Sequence, residues 1–223
     1  MNILVIAPHP DDESFGCGGT IRLHTQRGDR VVIVFLTSGE LGLKKLAKAE
    51  AWRIREAEAT RACEMLDTSA IHFLHQPDWG LGDAVSVAAD ALRPIAQAEQ
   101  PQSIFLPHPQ EWHPDHQACL PVVQQTYATV SAATARPSLW GYEVWTPMSH
   151  HEDVRDITPV MSTKLAAVRC YASQLAGYKY DHAIRGLNRY RGALAAQTRY
   201  AEVFCELLCE PGSEARNDLE NSI

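Results

Sequence analysis

Positive charge is scarce in this sequence. Twenty Lys and Arg stand against 27 Asp and Glu, a formal net charge of −7. A phosphate backbone or an anionic membrane face would be repelled rather than gathered in, so no nucleic acid and no membrane partner is expected. Long apolar runs are also missing. The opening run Asn2–Ala7 is too short for a membrane span or a signal peptide and has no basic stretch before it. Cysteine pairs are absent as well. Cys17, Cys63, Cys119, Cys170, Cys205 and Cys209 are scattered, with no CxxC, which speaks against a structural zinc site. They are expected to be small core residues of a reduced, cytoplasmic protein. No repeat, low-complexity tract or Pro/Gly/Ser linker divides the chain.

What remains is an ordinary globular composition: 223 residues, 45% hydrophobic and 21% charged, enough for one domain with a sizeable core. Short β-rich runs alternate with helical patterns. Asn2–Ala7, Arg30–Thr37, Ala70–Leu74 and Ser103–Leu106 read as strands. Gly18–Gln26, Lys45–Leu66, Asp83–Gln97 and a segment starting near Asp115 read as helices. Such alternation implies right-handed crossovers and an α/β fold, a Rossmann-like, mostly parallel sheet flanked by helices. Beyond about residue 137 the pattern loosens. Leu139–Trp145 and Ala201–Leu208 read as strands, Lys164–Leu175 and His182–Ala196 as helices, and the whole as an irregular C-terminal third of the same domain. The polar tail 210–223 is expected to be flexible.

Two polar clusters fall at strand ends, where ligands of open parallel sheets bind. His9-Pro10-Asp11-Asp12-Glu13 follows the first strand, and His108 to His116 (HPQEWHPDH) follows the fourth. His and Asp are good ligands for a divalent transition metal. The HPDD spacing puts His9 and one aspartate within reach of one ion. If Asp12 is the ligand, Asp11 is left as a free carboxylate beside the bound water, as a hydrolytic site requires. His116 is then the natural third ligand, and His113 is left to face the developing oxyanion or the leaving group.

Structural readings compete with these. HPD is commonly a turn with a capping aspartate, so Asp115 could be an N-cap, and Glu13 could complement a helix N-terminus. His108 has no assigned role, and His24, His72, His75, His150, His151 and His182 have no comparable context. Gly16-Cys17-Gly18-Gly19 lies too far past the strand for a dinucleotide loop, and Ile21 stands where its third glycine should be. These glycines suit a tight turn and close helix–sheet packing.

The opening ILVIAPHPDDESFGCGGTI, with HPDH at 113–116, resembles the PIG-L/LmbE-like deacetylases. Arg55 to Glu58 (REAE), Leu74 to Leu81 (LHQPDWGL), Lys164, Tyr171 to Gln174 (YASQ) and Ala201 to Phe204 (AEVF) resemble further family landmarks along most of the chain. The resemblance implies a deacetylase domain over 1–209 and metal-dependent hydrolysis of an N-acetyl group, typically on an N-acetylglucosamine-type sugar. It implies His9, Asp12 and His116 as ligands of Zn2+, with Fe2+ or another divalent metal as an option. It implies Asp11 as general base, His113 as electrophile or acid near the oxyanion, and Asp115 as the group orienting His113. Arg55 would approach the substrate and Asp78 a sugar hydroxyl, although Arg55 could instead pair with Glu58 on its helix. Some members carry a catalytic tyrosine just before HPDH. Here Gln110-Glu111-Trp112 stand there, which leaves protonated His113 as the donor to the leaving amine. Trp112 and Trp79 could stack on a sugar face or only cover the edge of the core.

Two other readings compete with that function. Two histidines and a carboxylate also describe a non-haem Fe(II) oxygenase, but such a site has less use for a second carboxylate. A sugar-binding protein with a structural metal would want four closed ligands, and three are visible. Helices of the last third could form a homo-oligomer interface. Which acetylated molecule is the substrate is not written in the motifs.

Overall fold

The computed structural model describes residues 1–128 and 136–209. The expected tail, 210–223, lies outside the described residues. Among the described residues seven strands form one sheet: β1 (Asn2–Ala7), β2 (Arg30–Thr37), β3 (Ala70–Gln76), β4 (Ser103–Pro107), β5 (Ser138–Tyr142), β6 (Asp153–Asp156) and β7 (Ala201–Leu207), in the order β3-β2-β1-β4-β5-β7-β6. The first five are parallel, and β7 runs antiparallel to both β5 and β6. β1 and β2 are continuous apolar runs because strands covered by helices on both faces must bury every side chain. Ile3, Val5 and Ala7 pack with α1 (Asp12–Gln26), α2 (Lys48–Leu66) and α5 (Met161–Cys170), while Leu4 and Ile6 pack with α3 (Val85–Glu99) and α4 (Pro114–Ala128). Each such aliphatic contributes about 1.5–3 kcal/mol of burial.

The C-terminal third is more regular than its sequence suggests. Its strands complete the sheet, and β6 escapes a hydrophobic-pattern reading because its DVRD is polar, as an edge strand can be. The segment expected as one helix over Lys164–Leu175 is split by Tyr171 (φ −82°, ψ 55°) into α5 and the short α6 (Ala172–Leu175). The last helix, α7 (Tyr180–Arg191), passes into a π-turn over Gly192–Ala196.

Helix α1 starts at Asp12, six residues before its expected start at Gly18, because Asp12 and Glu13 suit the positive end of a helix dipole. The sequence boundary is nevertheless physical. Cys17 is non-helical (φ −129°, ψ 20°) and interrupts the ladder. The N–H groups of Gly19 and Thr20 donate instead to the carboxylate of Glu202 on β7, at 2.8 and 2.7 Å. Lys164 completes this buried cluster with a 2.7 Å bond to Glu202. Gly16 and Gly19 permit the close approach. A Cβ on Gly16 would lie 2.2 Å from the Tyr142 ring, and one on Gly19 would lie 2.6 Å from Ile157. The expected packing role holds, but the tight turn is a kinked helix.

Among the described residues the cysteines form no disulfide, and Cys17, Cys63 and Cys119 are buried. Among the described residues no helix is long and apolar enough to cross a membrane.

Candidate active site

β1 lies between β2 and β4, so the chain's winding reverses between β1 and β4. Paired strand ends diverge there and leave a crevice. His9 follows β1, and α4 opens with Pro114 just after His113. The two HPD clusters therefore meet: the His9 and His113 rings are 4.7 Å apart, and His9 and His116 5.4 Å.

Asp12 Oδ2 is the hub. It accepts the backbone N–H of His9 at 2.9 Å and lies 3.2 Å from His9 Nδ1 and 3.3 Å from His116 Nε2. Neither ring nitrogen of His116 has a hydrogen bond, and neither does Asp12 Oδ1, though both residues are fully buried. Buried polar atoms without partners are costly and require an explanation. One divalent ion can take Asp12 Oδ1 and a single His116 nitrogen, since donors bound at about 2.0–2.1 Å stand at such mutual spacings; the other nitrogen, Nδ1, faces Glu111 Oε2 at 3.7 Å. His9, His113 and His116 also bring donor atoms within 4.8 Å of one another. His113 is the weaker ligand candidate because its Nδ1 already accepts the Asp115 backbone N–H at 3.2 Å.

The second nitrogen of His9 is held by carboxylates. Nε2 lies 3.1 Å from Asp115 Oδ2 and 3.2 Å from Asp78 Oδ1, the arrangement that commonly orients a metal-binding imidazole. Burial alone would depress the His9 pKa, but Asp115, Asp12 and Asp78 outweigh it and hold it well above the ordinary value. Burial likewise opposes ionisation of Asp12, but His116 and His9 keep it well below the usual carboxylate range.

Asp11 is different. Its φ is 135°, a left-handed conformation rare outside glycine. Glu13 Oε2 accepts its backbone N–H at 3.2 Å, and Glu13 is itself fixed by the hydroxyls of Ser14 and Tyr171. Arg55 Nη2 lies 3.2 Å from Asp11 Oδ2. Burial, only partly offset by Arg55, pushes the Asp11 carboxyl up to about 7. Burial also lowers the His113 pKa to about 4, with the neighbouring His9 and His116 adding to the effect.

Three expectations need correction. The Asp115 side chain orients His9 rather than His113, which it meets only through its backbone N–H. Its carboxylate also caps the N–H groups of Trp79 (2.7 Å) and Leu81 (3.0 Å), because the loop after β3 folds over the start of α4. Asp78 is not free for a sugar hydroxyl: its side chain is buried between His9 and the backbone N–H of Leu41 (2.7 Å). Arg55 neither lies on the helix surface nor pairs with Glu58. It is 2% exposed on Asp11, and Glu58 accepts from the N–H and hydroxyl of Ser173 at 2.8 and 2.6 Å.

Trp79 and Trp112 are 53% and 59% exposed and flank His113, with ring centroids 4.5 and 5.3 Å away. Glu111 has a structural role that sequence reasoning missed. Fully buried, it accepts the N–H groups of Val144 (2.8 Å), Trp145 (2.9 Å) and Thr146 (3.1 Å), and lies 3.7 Å from His116 Nδ1. Only its place beside HPDH could have marked it. His108 is buried on the Thr146 carbonyl, at 2.7 Å.

Known proteins resemble this chain over most of its length. Residues 4–127 match the family model described as PIG-L, GlcNAc-PI de-N-acetylase. A diacetylchitobiose deacetylase of Thermococcus kodakarensis is 30% identical over 217 residues, covering 90% of this chain and 80% of its own. A probable N-acetyl-alpha-D-glucosaminyl L-malate deacetylase 2 of Bacillus cereus is 30% identical over 184 residues, covering 78% and 83%. The solved N,N'-diacetylchitobiose deacetylase of Pyrococcus horikoshii superposes with a TM-score of 0.81 at 27% identity, covering 93% of this chain and 84% of that one. A more distant relative, 25% identical over 199 residues (79% of this chain, 75% of its own), is the 4-oxalmesaconate hydratase of Pseudomonas putida. With the family model spanning more than half of its residues, the chain belongs to the PIG-L family.

Proposed function

We propose that this protein is a metal-dependent N-deacetylase that hydrolyses the acetamido group of an N-acetylglucosamine-type sugar or glycoconjugate to acetate and a free amine. The observation that carries the reading is the set of buried donor atoms without a hydrogen bond, Asp12 Oδ1 and the His116 ring nitrogens, beside a separate carboxyl, Asp11. His9, Asp12 and His116 would hold the ion, zinc or another divalent metal, with Asp115 and Asp78 keeping His9 oriented. A divalent ion bound there supplies Lewis acidity, lowering the pKa of water and polarising the acetyl carbonyl.

The remaining steps belong to side chains. Asp11 takes the proton of the attacking water, and a carboxyl near pH 7 suits that task. Arg55 and Glu13 hold it in its strained position. Because His113 Nδ1 accepts an N–H, its own proton sits on Nε2, where it can donate to the oxyanion as a neutral imidazole. That argues against protonated His113 as the acid. The proton gained by Asp11 is the one returned to the leaving nitrogen as the C–N bond breaks. Trp79 and Trp112 offer apolar faces for a sugar ring.

The test is acetate release from diacetylchitobiose and other N-acetylglucosamine conjugates, with and without added metal. Metal-dependent acetate is expected, with turnover falling about 10²–10⁴-fold in Asp11→Asn while metal is retained. The fold also carries hydration in a relative, so acetate is the decisive product. No acetate from any acetamido sugar by the metal-loaded protein would refute the proposal.

A further inference from the structure

Where the end of α5, helix α7 and the start of β7 meet, an open surface pocket of about 480 Å³ is lined by the exposed side chains of Arg169, His182, Arg185, Arg189 and Arg199 around Tyr200. None of these residues belongs to the cleft described above. Tyr200 is buried and central. The guanidinium carbons of Arg185, Arg189 and Arg199 lie 6.0, 5.9 and 5.5 Å from its ring centroid. Arg185 Nε donates to the Tyr200 hydroxyl at 3.1 Å, and Arg189 Nη1 donates to the Arg199 carbonyl at 3.1 Å. Asp181, also in the lining, is taken by Arg169 at 3.1 Å. Among the described residues, Arg185, Arg189 and Arg199 have no carboxylate partner.

Arg185, Arg189 and Arg199 are exposed and hydrated, yet three cations are gathered around one buried ring. Arg185 and Arg189 are one turn apart on the same helix face, where like charges repel. The chain has only 20 Lys and Arg and a net charge of −7, so an excess of positive charge here runs against the rest of the molecule. The Arg185 hydrogen bond and the nearby Arg199 draw the Tyr200 phenol below its ordinary pKa, a sign of locally positive potential. The forks are also partly oriented, by a hydroxyl, a carbonyl and an aromatic ring, before any ligand arrives.

Guanidinium forks match oxoanions in geometry. One carboxylate offers a single planar edge, which one fork saturates. A tetrahedral dianion offers several edges to forks arriving from α7 and from the residue before Tyr200. We propose that this pocket binds a phosphate group, either free or as the monoester of a small organic molecule, for which the volume leaves room.

The test uses calorimetric titration of the metal-loaded protein with inorganic phosphate and, separately, with glucose 6-phosphate. Saturable binding at millimolar or lower concentration is expected. It should weaken at least tenfold in Arg185→Gln/Arg189→Gln and measurably in Arg199→Gln, and stay unchanged in Arg27→Gln/Arg53→Gln, which removes the same charge from exposed positions elsewhere. Tighter binding of the sugar phosphate would assign a phosphorylated metabolite, and equal binding would assign free phosphate. No saturable binding would overturn the proposal. So would equal weakening in the control pair, or binding untouched by the pocket variants, which would locate the phosphate elsewhere, including at the metal centre.

Discussion

Asp11 joins a φ of 135°, near-complete burial and a carboxyl pushed up to about 7. The folded protein thus holds this proton more tightly than the unfolded chain, whose aspartate titrates near 3.9. Stability from the group is full below about pH 4 and is lost as pH rises through about 7. In metal-free protein, Asp11→Asn stays neutral throughout and should show a shallower loss of stability over that window, read from denaturation midpoints at successive pH values. An identical slope in both proteins would contradict the buried proton. The motif made the type of each residue legible, since PHPDD and HPDH name a metal and a base. It did not show the partners of Arg55, Asp78 and Asp115. Each of these is placed by a different loop or helix, and a sequence pattern cannot say which carboxylate a buried guanidinium or imidazole meets.

At the scale of elements, α1 is two helical segments joined at Cys17, with Glu202 on β7 serving as the anion at the start of the second. Glu202→Gln would leave the buried Lys164 ammonium without a counter-charge, at a cost of about 3–5 kcal/mol. Adding Lys164→Met should recover much of that loss, measured by urea unfolding. A single variant as stable as wild type would show that the cluster holds nothing together. The central strands were legible because continuous aliphatic runs of strand length admit few alternatives. The start of α1 was hidden by acids and glycines that read as a loop, and β6 was hidden by a polar edge sequence. The break at Tyr171 was not marked by a proline or glycine.

Across the whole molecule, sheet order is what turns two distant motifs into one site. Pairing of β1 with β4, Val5 opposite Phe105, carries His9 and His116 to the same crevice. Strand–helix alternation made that convergence foreseeable; the antiparallel closure by β7 and β6, which supplies Glu202, was not. The same scale shows a division of charge: buried carboxylates gather around the histidines, while arginines without a carboxylate partner among the described residues gather around Tyr200. The most direct test of the account is metal content per chain, measured on purified wild type, His116→Ala, Asp12→Ala and His113→Ala. With His9, Asp12 and His116 as the ligand set, wild type and His113→Ala should hold one divalent ion each, and His116→Ala and Asp12→Ala almost none. Loss of metal in His113→Ala with retention in Asp12→Ala would contradict it and assign the ion to the three histidines.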